Sequence, residues 1–113
     1  RLRRLRRYPP FADLYTLTIT GSEEHRVIAA ACALRDALRH ESEKEPLRTL
    51  ETEVLGPAGA PVVKVNNRYR YCVYLCARSD ASLRRIVSDY LRAFYARKEN
   101  RGLDIFADCN ALQ

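Results

Sequence analysis

Apolar residues recur at strand spacing in four stretches of this chain and at helix spacing in two. Strand-type alternation covers residues 14–20, 50–55, 68–78 and 103–109. Apolar residues three or four positions apart indicate amphipathic helices, one ending near residue 40 and the other near residue 98. The order β-α-β-β-α-β predicts an α+β fold of the split βαβ or ferredoxin-like kind, also seen in ribosomal proteins, with an antiparallel sheet and both helices on one face.

Cap and turn residues mark the boundaries of these elements. Ser22 is expected to cap the first helix, and Ser79 or Asp80 the second. Residues 56–61 are rich in proline and glycine, so they are expected to break the second strand. The two asparagines at positions 66 and 67 can adopt positive φ, which predicts a tight turn before the third strand.

Length and composition indicate one domain with one core. The chain has 113 residues, of which 47% are hydrophobic. We expect a single domain over residues 8–113, preceded over residues 1–7 by a basic linker or helix end. Because the chain contains no methionine, we expect it to be a piece of a longer protein. Its apolar runs are short and interrupted by arginine, so neither a signal peptide nor a membrane contact is expected.

The net charge of +6 is concentrated in two places. Residues 1–7 hold five of the 20 basic side chains, which leaves 15 basic and 14 acidic groups elsewhere. Residues 54–79 contain no Asp or Glu, but they do contain Lys64, Arg68, Arg70 and Arg78. Guanidinium groups suit phosphates, so an acid-free basic hairpin is typical of a nucleic-acid surface.

The predicted DNA contacts lie in this hairpin, where arginine alternates with tyrosine. They are Lys64, Arg68, Arg70, Tyr71 and Arg78. A second interpretation stays open, because Tyr69 and Tyr71 share the apolar face of the strand and can be core residues. Arg68 and Arg70 would then stand on the open face of the sheet.

No catalytic or metal site is predicted. The chain has no phosphate-binding loop and no G-x-S-x-G or H-E-x-x-H motif. The four cysteines, Cys32, Cys72, Cys76 and Cys109, lack C-x-x-C spacing. We expect all four to be buried small hydrophobes in a reducing cytoplasm.

Four sequence segments carry a family resemblance. They are residues 7–11 (RYPPF), 54–61 (VLGPAGAP), 68–71 (RYRY) and 103–110 (LDIFADCN). In this order they resemble the C-terminal domain of the PriA family, also called primosomal protein N-prime. The resemblance covers the chain from about residue 7 to residue 110.

The resemblance implies a function for the chain and for its parent. Family members are ATP-dependent 3′ to 5′ DNA helicases that restart replication at stalled forks. ATP and zinc are therefore expected in the parent, with no cofactor in this fragment, and a cytoplasmic, nucleoid-associated location. The implied partners are forked or single-stranded DNA, single-stranded DNA-binding protein and other primosome proteins. The fragment itself is expected to be a non-catalytic DNA-binding domain.

One departure from the family pattern concerns a partner site. Some members use a basic residue at the start of the second helix to hold the partner's C-terminal carboxylate. Asp80 stands at that position here, so Arg84 and Arg85 are the expected replacements. A protein-interaction module that docks the helicase lobes and the acidic tail of single-stranded DNA-binding protein is therefore the main alternative, and an RNA-binding module of the same fold is a third.

Overall fold

The computed structural model describes residues 12–110. The elements in chain order are β1 (Ala12–Gly21), α1 (Glu24–Ser42), β2 (Glu53–Val65), β3 (Arg68–Arg78), α2 (Ser82–Ala96), a 3₁₀ turn (Lys98–Asn100) and β4 (Asp104–Cys109). The predicted basic linker over residues 1–7 and the RYPPF segment lie outside the described residues.

The four strands form one antiparallel sheet in the order β2-β3-β1-β4. This order places β1 and β3 in the centre and leaves β2 and β4 as edges. Together with the two helices it confirms the predicted β-α-β-β-α-β fold.

The core lies between the sheet and the two helices. Leu17 and Ile19 of β1 and Leu75 of β3 are fully buried, and Val27 of α1 and Leu83 of α2 pack against this layer. These residues belong to the alternating and helical apolar stripes of the sequence. Because they all point to one side of the sheet, the opposite face carries no helix within residues 12–110.

The helix-free face follows from the register of the central strands. Thr18 pairs with Cys72 of β3 and with Phe106 of β4, and Thr20 pairs with Arg70. Thr18 and Cys72 are buried in this face, and their Oγ1 and Sγ atoms lie 3.5 Å apart.

The prediction for the cysteines is correct in part. Cys72 and Cys76 are buried, Cys32 is half-buried and Cys109 is exposed. The expectation that all four are buried is therefore wrong for Cys109, because this residue ends an edge strand and faces solvent.

The second strand differs most from the expectation. Residues 50 and 51 belong to a turn, and β2 instead begins at Glu53 and continues through the proline- and glycine-rich stretch to Val65. Its pairing with β3 is shifted twice, between Leu55 and Ala58 and between Gly59 and Lys64. An edge strand needs a partner on one side only, so it tolerates bulges that would disrupt a central strand.

The helix starts were predicted to within two residues. Glu23 rather than Ser22 stands at the N-cap of α1. Ala81 precedes α2, but Asp80 supplies the capping contact, since its Oδ2 accepts the backbone N–H of Ser82 at 3.0 Å. Hydrogen bonds from the hydroxyl and backbone of Ser82 lower the pKa of Asp80.

Candidate nucleic-acid interface

The β2–β3 hairpin closes with a narrow turn. Asn66 and Asn67 have φ angles of 52° and 63°, and Val65 pairs with Arg68 directly across the turn. Both asparagines are thus in the left-handed conformation of a two-residue hairpin turn, as predicted. Residues 60–63 lie opposite Arg70 alone, because Gly59 pairs with Tyr71 and Lys64 with Tyr69. The hairpin end is therefore a tight turn beside a bulged edge.

Lys64 lies near this turn on the side of the sheet that carries the helices. Its Nζ atom is 5.1 Å from the centroid of the Tyr69 ring, a cation–π distance. The side chain is exposed, and its contact with an uncharged ring does not neutralise its charge. Lys64 is therefore placed to meet an anion at the hairpin end.

Arg68 already has a carboxylate partner. Its Nη2 lies 3.0 Å from Asp104 Oδ2 of β4 and 3.3 Å from the Thr20 carbonyl oxygen of β1. This arginine thereby links three strands across the helix-free face. The Arg68 and Asp104 side chains are 38% and 63% exposed, so water weakens the attraction between them. A phosphate would nevertheless have to compete with Asp104 for this guanidinium.

Arg70 and Arg78 are the arginines of β3 that have no ion-pair partner in the described part of the chain. Both side chains project from the helix-free face, and neither forms an ion pair within residues 12–110. They stand eight residues apart on one strand, or about 27 Å at the usual strand rise. They can therefore meet phosphates at two separate points along a nucleic acid, but not a single phosphate together.

Tyr71 lies on the opposite side of the sheet from Arg70. Its ring is half-buried against the core, and its hydroxyl donates a hydrogen bond to Glu24 Oε2 of α1. This bond raises the pKa of the Tyr71 hydroxyl. The core interpretation thus fits Tyr69 and Tyr71, and base stacking by Tyr71 is no longer part of the candidate surface.

The second candidate site lies on α2. Arg84 and Arg85 are exposed in its first turns and form no ion pair within the described part of the chain. They follow Asp80 by four and five positions, and the Asp80 carboxylate accepts a hydrogen bond from the Ser82 N–H. The structure therefore leaves both arginines accessible to an anionic partner.

Further basic residues on α2 and just beyond it were missing from the sequence prediction. They are Arg92, Arg97, Lys98 and Arg101. The available signal was a charge excess of the same kind as in the hairpin, with six basic and two acidic residues between positions 82 and 101. The two acids, Asp89 and Glu99, are ion-paired with Arg92 and Arg97, so the excess lies in the other four basic residues.

A groove of about 340 Å³ runs between the two helices. Its walls are mainly alanine side chains of α1 together with Tyr90 and Phe94 of α2. The guanidinium of Arg26 at one end is held by the carbonyl oxygens of Glu99 and Arg101, at 2.9 and 2.7 Å.

Within residues 12–110, no three potential metal ligands gather at one place, and neither helix has the length and apolar character to traverse a bilayer.

The architecture defines the class of protein: a small split βαβ domain with a basic hairpin at one edge of its sheet. The sequence then identifies the family. The family sequence model of the primosomal protein N C-terminal domain matches residues 4–111, so the chain belongs to this family. This assignment confirms the resemblance inferred from the four sequence segments.

Two relatives carry the name of a restart protein. The probable replication restart protein PriA of Deinococcus radiodurans is 41% identical over 76 residues, which is 67% of this chain and 8% of that protein. The replication restart protein PriA of Bacillus subtilis is 24% identical over 108 residues, covering 96% of this chain and 13% of the relative. The chain thus spans a small part of these relatives.

A solved structure shares the fold. The de novo designed protein Foldit4 superposes with a TM-score of 0.60 and 15% identity, over 90% of this chain and 99% of the design. At this level of identity the likeness concerns the fold alone.

Proposed function

We propose that this chain is the non-catalytic DNA-binding domain of a replication restart protein, and that its β2–β3 hairpin contacts the DNA backbone. One observation carries the proposal. The hairpin between residues 54 and 79 contains no acid, and three of its four basic side chains, Lys64, Arg70 and Arg78, have no carboxylate partner within residues 12–110. The sheet therefore presents uncompensated positive charge along one strand and its turn.

Separated cations on a strand suit a repeating polyanion. Phosphates are spaced regularly along DNA, so side chains at the two ends of β3 can each meet one. Such contacts fix the position of the domain without reading sequence. Three phosphate contacts correspond to a slope of about −2.7 in a plot of log affinity against log salt concentration. The domain is accordingly proposed to bind forked or single-stranded DNA with little sequence preference.

The family supports wider proposals for the protein that contains this domain. We propose that it is an ATP-dependent 3′ to 5′ helicase that also binds zinc, works in the cytoplasm and acts with single-stranded DNA-binding protein and other primosome proteins. The ATPase and zinc sites would belong to parts of the protein outside this chain, which matches 8% and 13% of the two relatives.

The hairpin is tested with a pair of charge-matched variants. Binding of a fluorescent forked DNA is measured by anisotropy at two salt concentrations for the wild type, for Lys64→Ala/Arg70→Ala and for Lys44→Ala/Arg48→Ala. Each variant loses two positive charges, and the control residues are exposed in the segment after α1. We expect the hairpin variant to lose about 10-fold in affinity and to have a shallower salt slope by about 2. An equal loss of DNA affinity in both variants would mean that only the net charge of the domain matters. No loss of affinity in either variant would show that the hairpin is not part of the interface.

A second candidate function rests on the exposed Arg84 and Arg85 of α2. These arginines can hold the acidic tail of single-stranded DNA-binding protein, because a bidentate guanidinium fits a carboxylate. Calorimetry with an acidic peptide ending in phenylalanine is expected to show binding that is lost in Arg84→Ala/Arg85→Ala. Peptide binding that survives this double substitution would contradict the relocated site.

A further inference from the structure

The groove between α1 and α2 is used by neither proposed function. It lies in the helix layer, on the other side of the sheet from Arg70 and Arg78, and the arginines in the first turns of α2 do not line it. Leu34 and Phe94, which do line it, also belong to the core. The groove is therefore an apolar surface separate from the DNA-binding hairpin.

The shape of the groove follows from short side chains on α1. Ala29, Ala33 and Ala37 stand four residues apart along one wall and are exposed, and the opposite wall carries the ring of Tyr90. Methyl groups leave open the space of about 340 Å³ that longer side chains would fill. From Arg26 to Ala37 the wall is about 16 Å long at the helical rise, which equals three turns of a helix.

The polar groups of the groove already have partners. Asn100 donates from Nδ2 to the Phe94 carbonyl oxygen at 2.9 Å, and the Tyr90 hydroxyl donates to Glu41 Oε1 at 3.3 Å. The backbone groups of both walls are bonded within their own helices. An extended strand would find no backbone partners here, whereas a helix satisfies its own backbone and needs only side-chain contacts.

One end of the groove is lined by two arginines. The Arg26 guanidinium is held by carbonyl oxygens, which leave its positive charge uncompensated. Arg97 lies 3.7 Å from Glu99, but both side chains are exposed, so water weakens the attraction between them. A negative group at this end of the groove would therefore meet two accessible cations.

The residues next to this end keep it basic. Lys98 and Arg101 follow α2 and are exposed, and neither forms an ion pair within residues 12–110. Glu23 stands one turn before Arg26, whereas the carboxylate of Glu24 is turned towards β3. Positive groups outnumber carboxylates here, so an acidic occupant complements the charge of the groove.

We propose that this groove is the docking site for an acidic amphipathic helix of a partner protein. The apolar stripe of that helix packs against Leu34, Tyr90 and Phe94, and its acidic end lies beside Arg26 and Arg97. Helices that bind in grooves use apolar anchors at positions i, i+3 or i+4 and i+7. Carboxylates favour the first turn of a helix, so the N-terminal end of the partner helix is the one beside the arginines.

The probe for this site is a designed helical peptide. It carries leucines at positions i, i+4 and i+7 and glutamates in its first turn, and a second peptide has lysines in place of the glutamates. Binding to the full chain is measured by the anisotropy of a fluorescent label on each peptide. We expect the glutamate peptide to bind about 10-fold more tightly, because only its charge complements the basic end.

The position of the peptide is tested by filling the groove. Ala33→Phe places a ring in the groove, whereas Ala96→Phe adds the same ring to an exposed position of α2 that does not line it. We expect Ala33→Phe to weaken binding of the glutamate peptide by about 10-fold or more and Ala96→Phe to leave it unchanged. Melting temperatures establish that both variants are folded.

A second pair of variants tests the charge. Arg97→Ala and Arg92→Ala each remove an exposed arginine that is ion-paired with a neighbouring acid, but only Arg97 lines the groove. We expect Arg97→Ala to weaken binding of the glutamate peptide by about three-fold without affecting the lysine peptide, and Arg92→Ala to change neither. If Ala33→Phe does not fold, this pair alone decides the question.

Several results would overturn the docking site. They are the absence of peptide binding by the wild type, equal affinity for the two peptides, and binding that survives both Ala33→Phe and Arg97→Ala. A dimer of the wild type that Ala33→Phe abolishes would assign the groove to a second copy of the chain instead. Forked DNA is titrated in parallel, and a loss of DNA affinity in Ala33→Phe would assign the groove to nucleic acid. Unchanged DNA affinity is expected, because the groove and the hairpin are separate surfaces.

Discussion

The Tyr95 hydroxyl joins α2 to the outer edge of the sheet. It accepts the Ile105 N–H at 3.0 Å and can donate to the Ile105 carbonyl oxygen at 3.2 Å. Because β4 is an edge strand, a backbone donor there needs a partner other than a neighbouring strand. One side chain of the helix therefore satisfies part of an exposed strand edge.

Removing this hydroxyl is expected to destabilise the domain modestly. Tyr95→Phe leaves the Ile105 N–H without its protein acceptor, so we expect the free energy of unfolding in urea to fall by about 1 kcal/mol. Tyr69→Phe is the matched control, since its ring contacts Lys64 and the core while its hydroxyl has no hydrogen bond within residues 12–110. An equal loss in both variants would show that the loss does not come from the hydrogen bond to Ile105, and no loss in Tyr95→Phe would show that Tyr95 acts only through its ring.

At the scale of the element, α1 holds the irregular edge strand β2. Arg39 donates from both Nε and Nη2 to the Val54 carbonyl oxygen, at 3.1 and 3.0 Å. Arg35 donates from Nη1 to the Gly56 carbonyl oxygen at 3.4 Å. These contacts lie where the pairing of β2 with β3 first shifts register, so the helix compensates for pairing that the strand has lost.

The contact between Arg39 and the Val54 carbonyl oxygen uses two N–H donors of one planar guanidinium group. Lysine keeps the charge but cannot direct two donors from one planar group. We therefore expect Arg39→Lys to speed hydrogen exchange of the β2 amides of residues 53–56 by about five-fold, with no change in β1. Arg48→Lys, at an exposed ion pair with Glu45, serves as the control. Unchanged β2 exchange in Arg39→Lys would mean that this strand is held by its sheet pairing alone.

A strand could be predicted from the sequence where its residue pattern agreed with its position in the sheet. The bounds of β3 match the expectation because strict alternation begins directly after a two-residue turn. β2 was placed wrongly because Pro57 and Pro61 normally end a strand, whereas an edge position accepts them with shifts in register. The side of the sheet that each residue of β3 faces also followed from alternation.

The ion pair between Arg68 and Asp104 could not be predicted from the sequence. Asp104 meets Arg68 although 36 residues separate them, because β1 brings the start of β3 and the start of β4 to the same end of the sheet. The acid-free stretch correctly indicated a basic surface, but the carboxylate that neutralises Arg68 lies on another strand. Local charge counts identify a basic segment, and only the topology shows which of its members stay unpaired.

For the whole molecule, the sheet separates the basic groups into two surfaces. Arg70 and Arg78 project from the helix-free face, whereas Arg84 and Arg85 stand on the first turns of α2 in the helix layer. A duplex lying along β3 would leave the α2 arginines accessible to a second anionic partner. The two proposed functions are therefore compatible in space, and each has its own set of residues.

The most direct test is a nuclear magnetic resonance titration of the isotope-labelled chain with forked DNA. The account predicts that backbone amide signals shift mainly between residues 62 and 70 and around Arg78, and that the shifts shrink as salt is raised. Shifts confined to residues 82–92, with the hairpin signals unmoved, would contradict it.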